Sequence, residues 1–276
     1  MTDARPMPEM PSPAGGDRGR RQRVQAAETG LAVLKGLARL GGRASLTALA
    51  AHVGESPAKV HRYLASLQQE GLVAQDGGSQ QYYVGPEAIH IGLAAMRQAD
   101  PIRVSEASLQ RLRDELRATS FIAVMGNKGP TIVRFEESGL PVTVNVRVGS
   151  VLSLVWSATG RAFLGLLDSS EVRALAQEEL ATSPAEALAT LDAADPLGAL
   201  RRAVQAAGCA VVRDTYQRGI SAVAAPLFDH TGRPCAVLTS LGATGGFDPA
   251  ADGRIAATVM REAALASTQL GHLPAR

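Results

Sequence analysis

The stretch RASLTALAAHVGESPAKVHRYLASLQQEGLVAQDGGSQQYYV, residues 43–84, decides how the N-terminal part of this 276-residue chain is read. Ser45 is placed to cap a short helix whose Leu46, Leu49, Ala50 and Val53 fall on one face, and Gly54 ends it. Shortly after, Ser56 caps a second helix with Pro57 at its first position, where the missing N–H costs nothing. Helix, glycine-containing turn, helix is the helix-turn-helix arrangement. In the second helix Val60, Leu64 and Leu67 recur at i, i+4 and i+7 and turn inward, which leaves Lys59, Arg62 and Ser66 in an outward stripe. Gly71 closes that helix. The segments Leu72–Gln75 and Gln81–Val84 then flank Asp76-Gly77-Gly78-Ser79, a hairpin with Asp-Gly turn chemistry. A hairpin directly after such a helix is a wing.

Working outward, Leu31, Leu34, Leu37 and Ala38 recur at helical spacing from Thr29, and Gly41-Gly42 stops the helix. Before it, Pro6, Pro8, Pro11, Pro13, Gly15 and Gly16 stand among polar residues with no apolar period, so residues 1–20 are expected to be a disordered tail. Between Arg18 and Arg43 lie seven basic residues (Arg18, Arg20, Arg21, Arg23, Lys35, Arg39, Arg43) and one acidic, Glu28. Such a cluster attracts polyanions or is simply a solvated charged face. Past the wing, Gly85-Pro86 opens an amphipathic helix with Ile89, Leu93 and Met96 on one side, ending near Asp100-Pro101. It reads as a connecting helix over 86–102, with an apolar side available to a second subunit.

Residues 103–272 alternate differently. A helix over 104–118 precedes strands at 121–125, 131–135 and 142–148. A helix over 158–167 and two Ala-rich helices between 171 and 207 follow. Strands at 210–214, 221–228 and 235–241 come next, and a last helix carries Ile255, Val259, Ala263, Ala266 and Leu270. Hairpin-joined strands with outer helices give an α+β domain on an antiparallel sheet. The expected division is therefore tail 1–20, winged helix-turn-helix 21–85, linker helix 86–102 and C-terminal domain 103–272.

Composition narrows the chemistry. Hydrophobic residues make up 46% and aromatics 4%, so Ala, Val and Leu must fill the cores. The two cysteines, Cys209 and Cys235, cannot build a disulfide framework, and the five histidines show no CxxC or HExxH spacing, so no metal is expected. No transmembrane run or signal segment is apparent, which predicts a cytoplasmic protein without a membrane partner. The chain has no G-x-S-x-G elbow, phosphate loop or G-x-G-x-x-G fingerprint, and His230 and His272 are poorly placed as bases. It is read as a non-enzyme with no catalytic residues and no cofactor.

The major groove of B-DNA admits one α-helix, whose N-terminal residues meet base edges. Here those are Ser56, Pro57, Ala58, Lys59, His61 and Arg62, with Arg43 and Ser45 nearby and Gly78 and Ser79 at the wing tip. Two functions fit: a regulator bound to double-stranded operator DNA, or a small-molecule sensor acting through a protein partner without DNA.

The same residues carry a resemblance. Val24-Gln25, Ser45–Ala50, Ser56–Leu64 and Tyr83-Val84-Gly85-Pro86, then Val148-Gly149-Ser150, Ser157–Ala162, Gly208-Cys209-Ala210, Tyr216–Ile220 and Val223–Asp229, resemble in order the IclR family of bacterial transcriptional regulators. The resemblance covers residues 22–272. It implies a winged helix-turn-helix joined by a linker helix to a GAF-like effector domain, working as a homodimer or as a dimer of dimers (a homotetramer).

Relatives that bind small carboxylates such as glyoxylate often carry a Cys and two Ser in the effector pocket. By that register these positions are Ala222, Thr239 and Leu241 here. Replacing polar contacts by Ala and Leu favours an aromatic or otherwise partly apolar organic acid, and a catabolic operon as target. The register also brings Ile220 and Asp214 near the ligand, and Trp156 and Ser157, which precede the Gly160 turn, join the candidates there. Trp156 is then a pocket wall or a core residue. Asp214 hydrogen-bonds a ligand hydroxyl or caps a neighbouring turn.

Overall fold

The computed structural model describes residues 24–139 and 146–273. The expected tail, the cations Arg18, Arg20, Arg21 and Arg23, and most of the strand expected at 142–148 lie outside the described residues. The chain divides into two compact units, Met1–Ala94 and Ala95–Arg276.

The first unit contains α1 (Gln25–Arg39), β1 (Arg43–Ala44), α2 (Leu46–Val53), α3 (Pro57–Gln69), β2 (Val73–Gln75) and β3 (Tyr82–Val84). Its core gathers Val33, Leu37, Leu49, Val60, Leu64, Leu67, Val73 and Tyr82. The α3 stripe is buried as its spacing dictates. In α1 the buried face differs from the expected one: it runs through Thr29, Val33, Gly36 and Leu37, and Leu31 is exposed. The reason is a helix crossing at Gly36, where a Cβ would lie 2.7 Å from Val53 Cγ1, so the α1 face that lacks a side chain is the one that meets α2. The three strands pair antiparallel in the order β1-β3-β2.

The helix α4 (Pro86–Met96) has no buried residue and exposes Ile89, Ile91, Leu93 and Met96. It ends at Met96, short of the end expected near Asp100-Pro101. Asp100 then caps α5 (Pro101–Leu116), accepting from the Ile102 N–H at 2.9 Å, with Pro101 at the first helical position.

The second unit is built on a five-stranded, wholly antiparallel sheet. Its strands are β4 (Thr119–Gly126), β5 (Gly129–Glu136), β6 (Ala210–Arg213), β7 (Ile220–Phe228) and β8 (Pro234–Ala243), in the order β5-β4-β8-β7-β6. The long return from β5 to β6 carries α6 (Ala158–Leu166), α7 (Ser170–Ala181), the one-turn α8 (Ala185–Leu188) and α9 (Pro196–Ala207), one helix more than the three expected there. The last helix is α10 (Arg254–Gln269).

Period-two alternation divides the side chains between the two sheet faces. Phe121, Ala123, Ala222, Ala224 and Leu241 join the core beneath α6. Ile122, Val223, Ala225 and Leu238 join the opposite core, which also takes Leu109 and Leu112 of α5 and Val259 and Ala263 of α10.

Between α5 and α10 sits a buried carboxylate, Glu262. Arg111 donates to its Oε2 from Nε (2.8 Å) and Nη2 (2.7 Å), and Arg261 reaches Oε1 at 3.2 Å. Burial alone would raise this carboxyl, but the two guanidinium groups outweigh it and hold it below the ordinary range. A depressed pKa means the contribution is present above the unfolded-state value and is lost as pH falls through the folded one. Arg111→Ala is expected to cost about 2 kcal/mol at pH 7, less than a fully orphaned buried charge because Arg261 remains. The cost should shrink on acidification, as Glu262 takes a proton. Urea titrations at pH 7 and pH 3 check both statements, and an equal cost at the two values would place the effect elsewhere.

Candidate DNA interface and effector pocket

The expected DNA-facing residues come together around the start of α3. Gly54, at φ 71°, ends α2 in the left-handed conformation, and Ser56 opens α3 by accepting from the Lys59 N–H at 3.4 Å. Pro57, Ala58, His61 and Arg62 are exposed, and Arg62 makes no ion pair among the described residues. Lys59 differs, because its Nζ lies 2.7 Å from Glu55 Oε1.

The three serines have work within the fold. Ser45 accepts from the Ala48 N–H at 3.2 Å, as Ser56 does from Lys59. At the wing tip both the N–H and the hydroxyl of Ser79 donate to Asp76 Oδ1, at 2.7 and 2.8 Å, and these bonds hold the Asp76 carboxyl below its ordinary range. Gly78 is exposed beside it. Arg43, on β1, has its guanidinium carbon over the Tyr83 ring at 5.5 Å from the centroid, so the base of the wing carries a cation against an aromatic face. What this surface can do chemically is present cations and backbone N–H groups to an anionic backbone, with polar groups beside them.

In the second unit, the sheet face beneath α6 contains a cavity of about 40 Å³, room for roughly three water molecules. Ile220, Ala222, Thr239, Leu241 and Ser157, all singled out from the sequence, line it. Phe121, Val146, Leu152, Ala158 and Val212 add apolar wall, and Thr159, Tyr216 and Gln217 add polar groups. Register explains the assembly: Phe121 stands opposite Thr239 across β4 and β8, and Ala222 stands opposite Leu241 on one side and Val212 on the other. At the base, the buried hydroxyls of Thr159 and Thr239 are 2.8 Å apart. Burial, with the Glu179 carboxylate as a second cause, pushes the Tyr216 phenol up, so it stays a hydrogen-bond donor.

Three of the expected ligand contacts lie elsewhere. Trp156 is half-buried with its indole N–H on Ser183 Oγ at 3.0 Å, outside the lining. Asp214, at φ 55°, accepts from the Gly219 N–H (2.7 Å) and the Thr244 hydroxyl (2.9 Å), which closes the 214–219 loop, and it is not among the lining residues. Gly160 is packed so tightly that a Cβ would stand 2.5 Å from Leu154 Cα.

The wall formed by residues 152–158 is held from outside. Glu179 of α7 accepts from the Ser153 hydroxyl and from the N–H groups of Leu154 (2.8 Å) and Val155 (3.3 Å), while Thr215 donates to the Trp156 carbonyl at 2.9 Å. Of the lining residues the sequence reading passed over, Tyr216, Gln217, Ala158 and Thr159 sat inside stretches already noted for their resemblance. Phe121, Val146, Leu152 and Val212 carried no such signal.

Comparison with known proteins follows this division. Residues 26–77 match the IclR helix-turn-helix domain, and residues 93–267 match the bacterial transcriptional regulator IclR C-terminal domain. The chain is similar to the crystal structure of Pseudomonas aeruginosa HmgR, 38% identical, with a TM-score of 0.82 over 90% of this chain and 99% of that one. It also shares its fold with the repressor BlcR of Agobacterium tumefaciens, at 17% identity and a TM-score of 0.75, over 92% and 100% of the two chains. Among curated proteins, the acetate operon repressor of Salmonella typhimurium is 25% identical over 223 residues, 79% of this chain and 80% of the relative.

Proposed function

The chain belongs to the IclR family of bacterial transcriptional regulators, and from that premise we propose that it controls a catabolic operon in response to a partly apolar, aromatic organic acid. Residues 21–85 bind the operator, residues 103–272 hold the effector, and the connecting segment 86–102 couples them. The protein acts in the cytoplasm as a homodimer or dimer of dimers, each dimer setting two α3 helices in successive major grooves. The sensor that works through a protein partner is the lesser reading, because the cations and capped N-terminus of α3 face solvent.

The observation that carries the effector class is the cavity lining. Its walls are apolar at Phe121, Leu152, Val212, Ala222 and Leu241, and its polar groups are the hydroxyls of Ser157, Thr159, Thr239 and Tyr216 and the amide of Gln217. A ring is accommodated by the walls and oriented by the hydroxyls, whereas a two-carbon acid leaves the apolar surface uncovered. A ligand held there can act on DNA only by favouring one placement of the DNA-binding units over another.

The test has two parts. A mobility-shift titration with DNA from upstream of the gene is expected to give binding that weakens about tenfold in Arg62→Ala, with the salt slope reduced by about one if Arg62 meets a phosphate. Unchanged binding removes Arg62 from the interface. A thermal-shift series comparing benzoate and phenylacetate with acetate and glyoxylate is expected to stabilise the protein only with the aromatic acids. Stabilisation by glyoxylate alone overturns the effector class.

A further inference from the structure

The ion pair at the start of α3 is unlike an ordinary helix-surface pair. Glu55 precedes the N-cap and lies outside the helix, in the turn after α2, where its N–H donates to the Ala50 carbonyl at 3.1 Å. The turn therefore fixes the backbone from which the carboxylate reaches Lys59 Nζ at 2.7 Å. Both side chains are about one-third exposed, at 33% and 38%. A pair this open to water adds little to stability. Its consequence lies in what it offers to Lys59 and to the positive end of α3: a negative group of the kind a phosphate would supply.

Resting on the reading of α3 as the DNA-facing helix, we propose that Glu55 is a specificity-determining residue, an internal competitor that occupies Lys59 in the free protein and so suppresses binding to arbitrary DNA. The argument is one of ion balance. A free lysine that meets a phosphate displaces a condensed counterion and steepens the dependence of affinity on salt. Lys59 must first leave Glu55, whose carboxylate then gathers a cation from solution. The two events cancel, so Lys59 adds almost nothing to non-specific affinity. Arg62, without an ion-pair partner among the described residues, adds its full share. Binding to the operator, where base-edge contacts add to the backbone term, outweighs the cost of opening the pair. Binding to random sequence does not.

The experiment is a double-mutant cycle on the full chain, using Glu55→Gln, Lys59→Gln and the double variant. Each is titrated between 50 and 200 mM salt against a 30-base-pair duplex from upstream of the gene and a scrambled duplex of equal length. Glu55→Gln is expected to bind the scrambled duplex about fivefold more tightly at 100 mM salt and to steepen its salt slope by about 0.9. Lys59→Gln alone should leave that slope unchanged, and the double variant should return it to the wild-type value. An unaltered slope in Glu55→Gln, or a gain that survives in the double variant, overturns the proposal. So does weaker binding of Glu55→Gln to the upstream duplex alone, since that outcome makes Glu55 a base contact. If the wild-type chain binds neither duplex, the DNA-facing reading of α3 falls and takes the proposal with it.

Discussion

Gly160→Ala is expected to lower the stability of the second unit by about 4 kcal/mol, at the upper end for overpacking. Gly160, a candidate ligand contact from the sequence, lies in the first turn of α6, yet its surroundings are backbone. A Cβ would fall onto the Ser153 carbonyl oxygen and stand 2.5 and 2.8 Å from the Cα and carbonyl carbon of Leu154. No rotamer change relieves a clash between main-chain atoms, so either α6 or the 153–154 segment must move. That segment is not free to move, because Glu179 holds its N–H groups and Ser157 donates to the Ser153 carbonyl at 2.6 Å. For a unit of this size the loss corresponds to a fall in melting temperature of roughly 10 °C. Differential scanning calorimetry on the full chain measures it, and a change under 2 °C would mean that the close approach is easily relaxed. Because the same wall bounds the cavity, effector binding should weaken together with stability.

Ala222→Trp should abolish the response to effector while leaving affinity for upstream DNA intact. Ala222 faces the cavity from β7, between Leu241 on β8 and Val212 on β6, and is only 7% exposed. An indole projecting from that position occupies the space a ring would need. In the wild type, ligand at a hundred times its dissociation constant adds about 2.7 kcal/mol, a rise of roughly 5–10 °C in melting temperature for a unit of this length. The variant should show none of it. Overfilling a packed site also costs stability, so Ala222→Leu, which adds three carbons, is the gentler companion and should reduce the rise without unfolding the sheet. A full thermal shift in both variants would move the effector away from this cavity.

Local interactions were the legible part of the site. The caps at Ser45 and Ser56, the stop at Gly54, the α3 stripe and the Asp-Gly wing all depend on residues within a few positions of one another, and each is found where its spacing puts it. Of the cavity lining, the part legible in the sequence was Ile220 and Ala222 on β7, Thr239 and Leu241 on β8, and Ser157 at the start of α6. Phe121 joins them because β4 pairs with β8, a partnership between segments more than a hundred residues apart that no local period announces. Trp156 and Asp214 are close in sequence to lining residues, yet their side chains turn to Ser183 and to Gly219 and Thr244. Sequence neighbours need not share a face.

From residue order alone follow the two-part plan, the capped helix with its outward cations, and the antiparallel character of the second part, because caps, breakers and hydrophobic periods act over one or two turns of chain. The buried face of α1, the packing duty of Gly160 and the composition of the cavity wall were decided by which elements cross and how closely. Those depend on the shapes of surfaces brought together from distant segments, and shape complementarity is a property of the folded pair rather than of either segment.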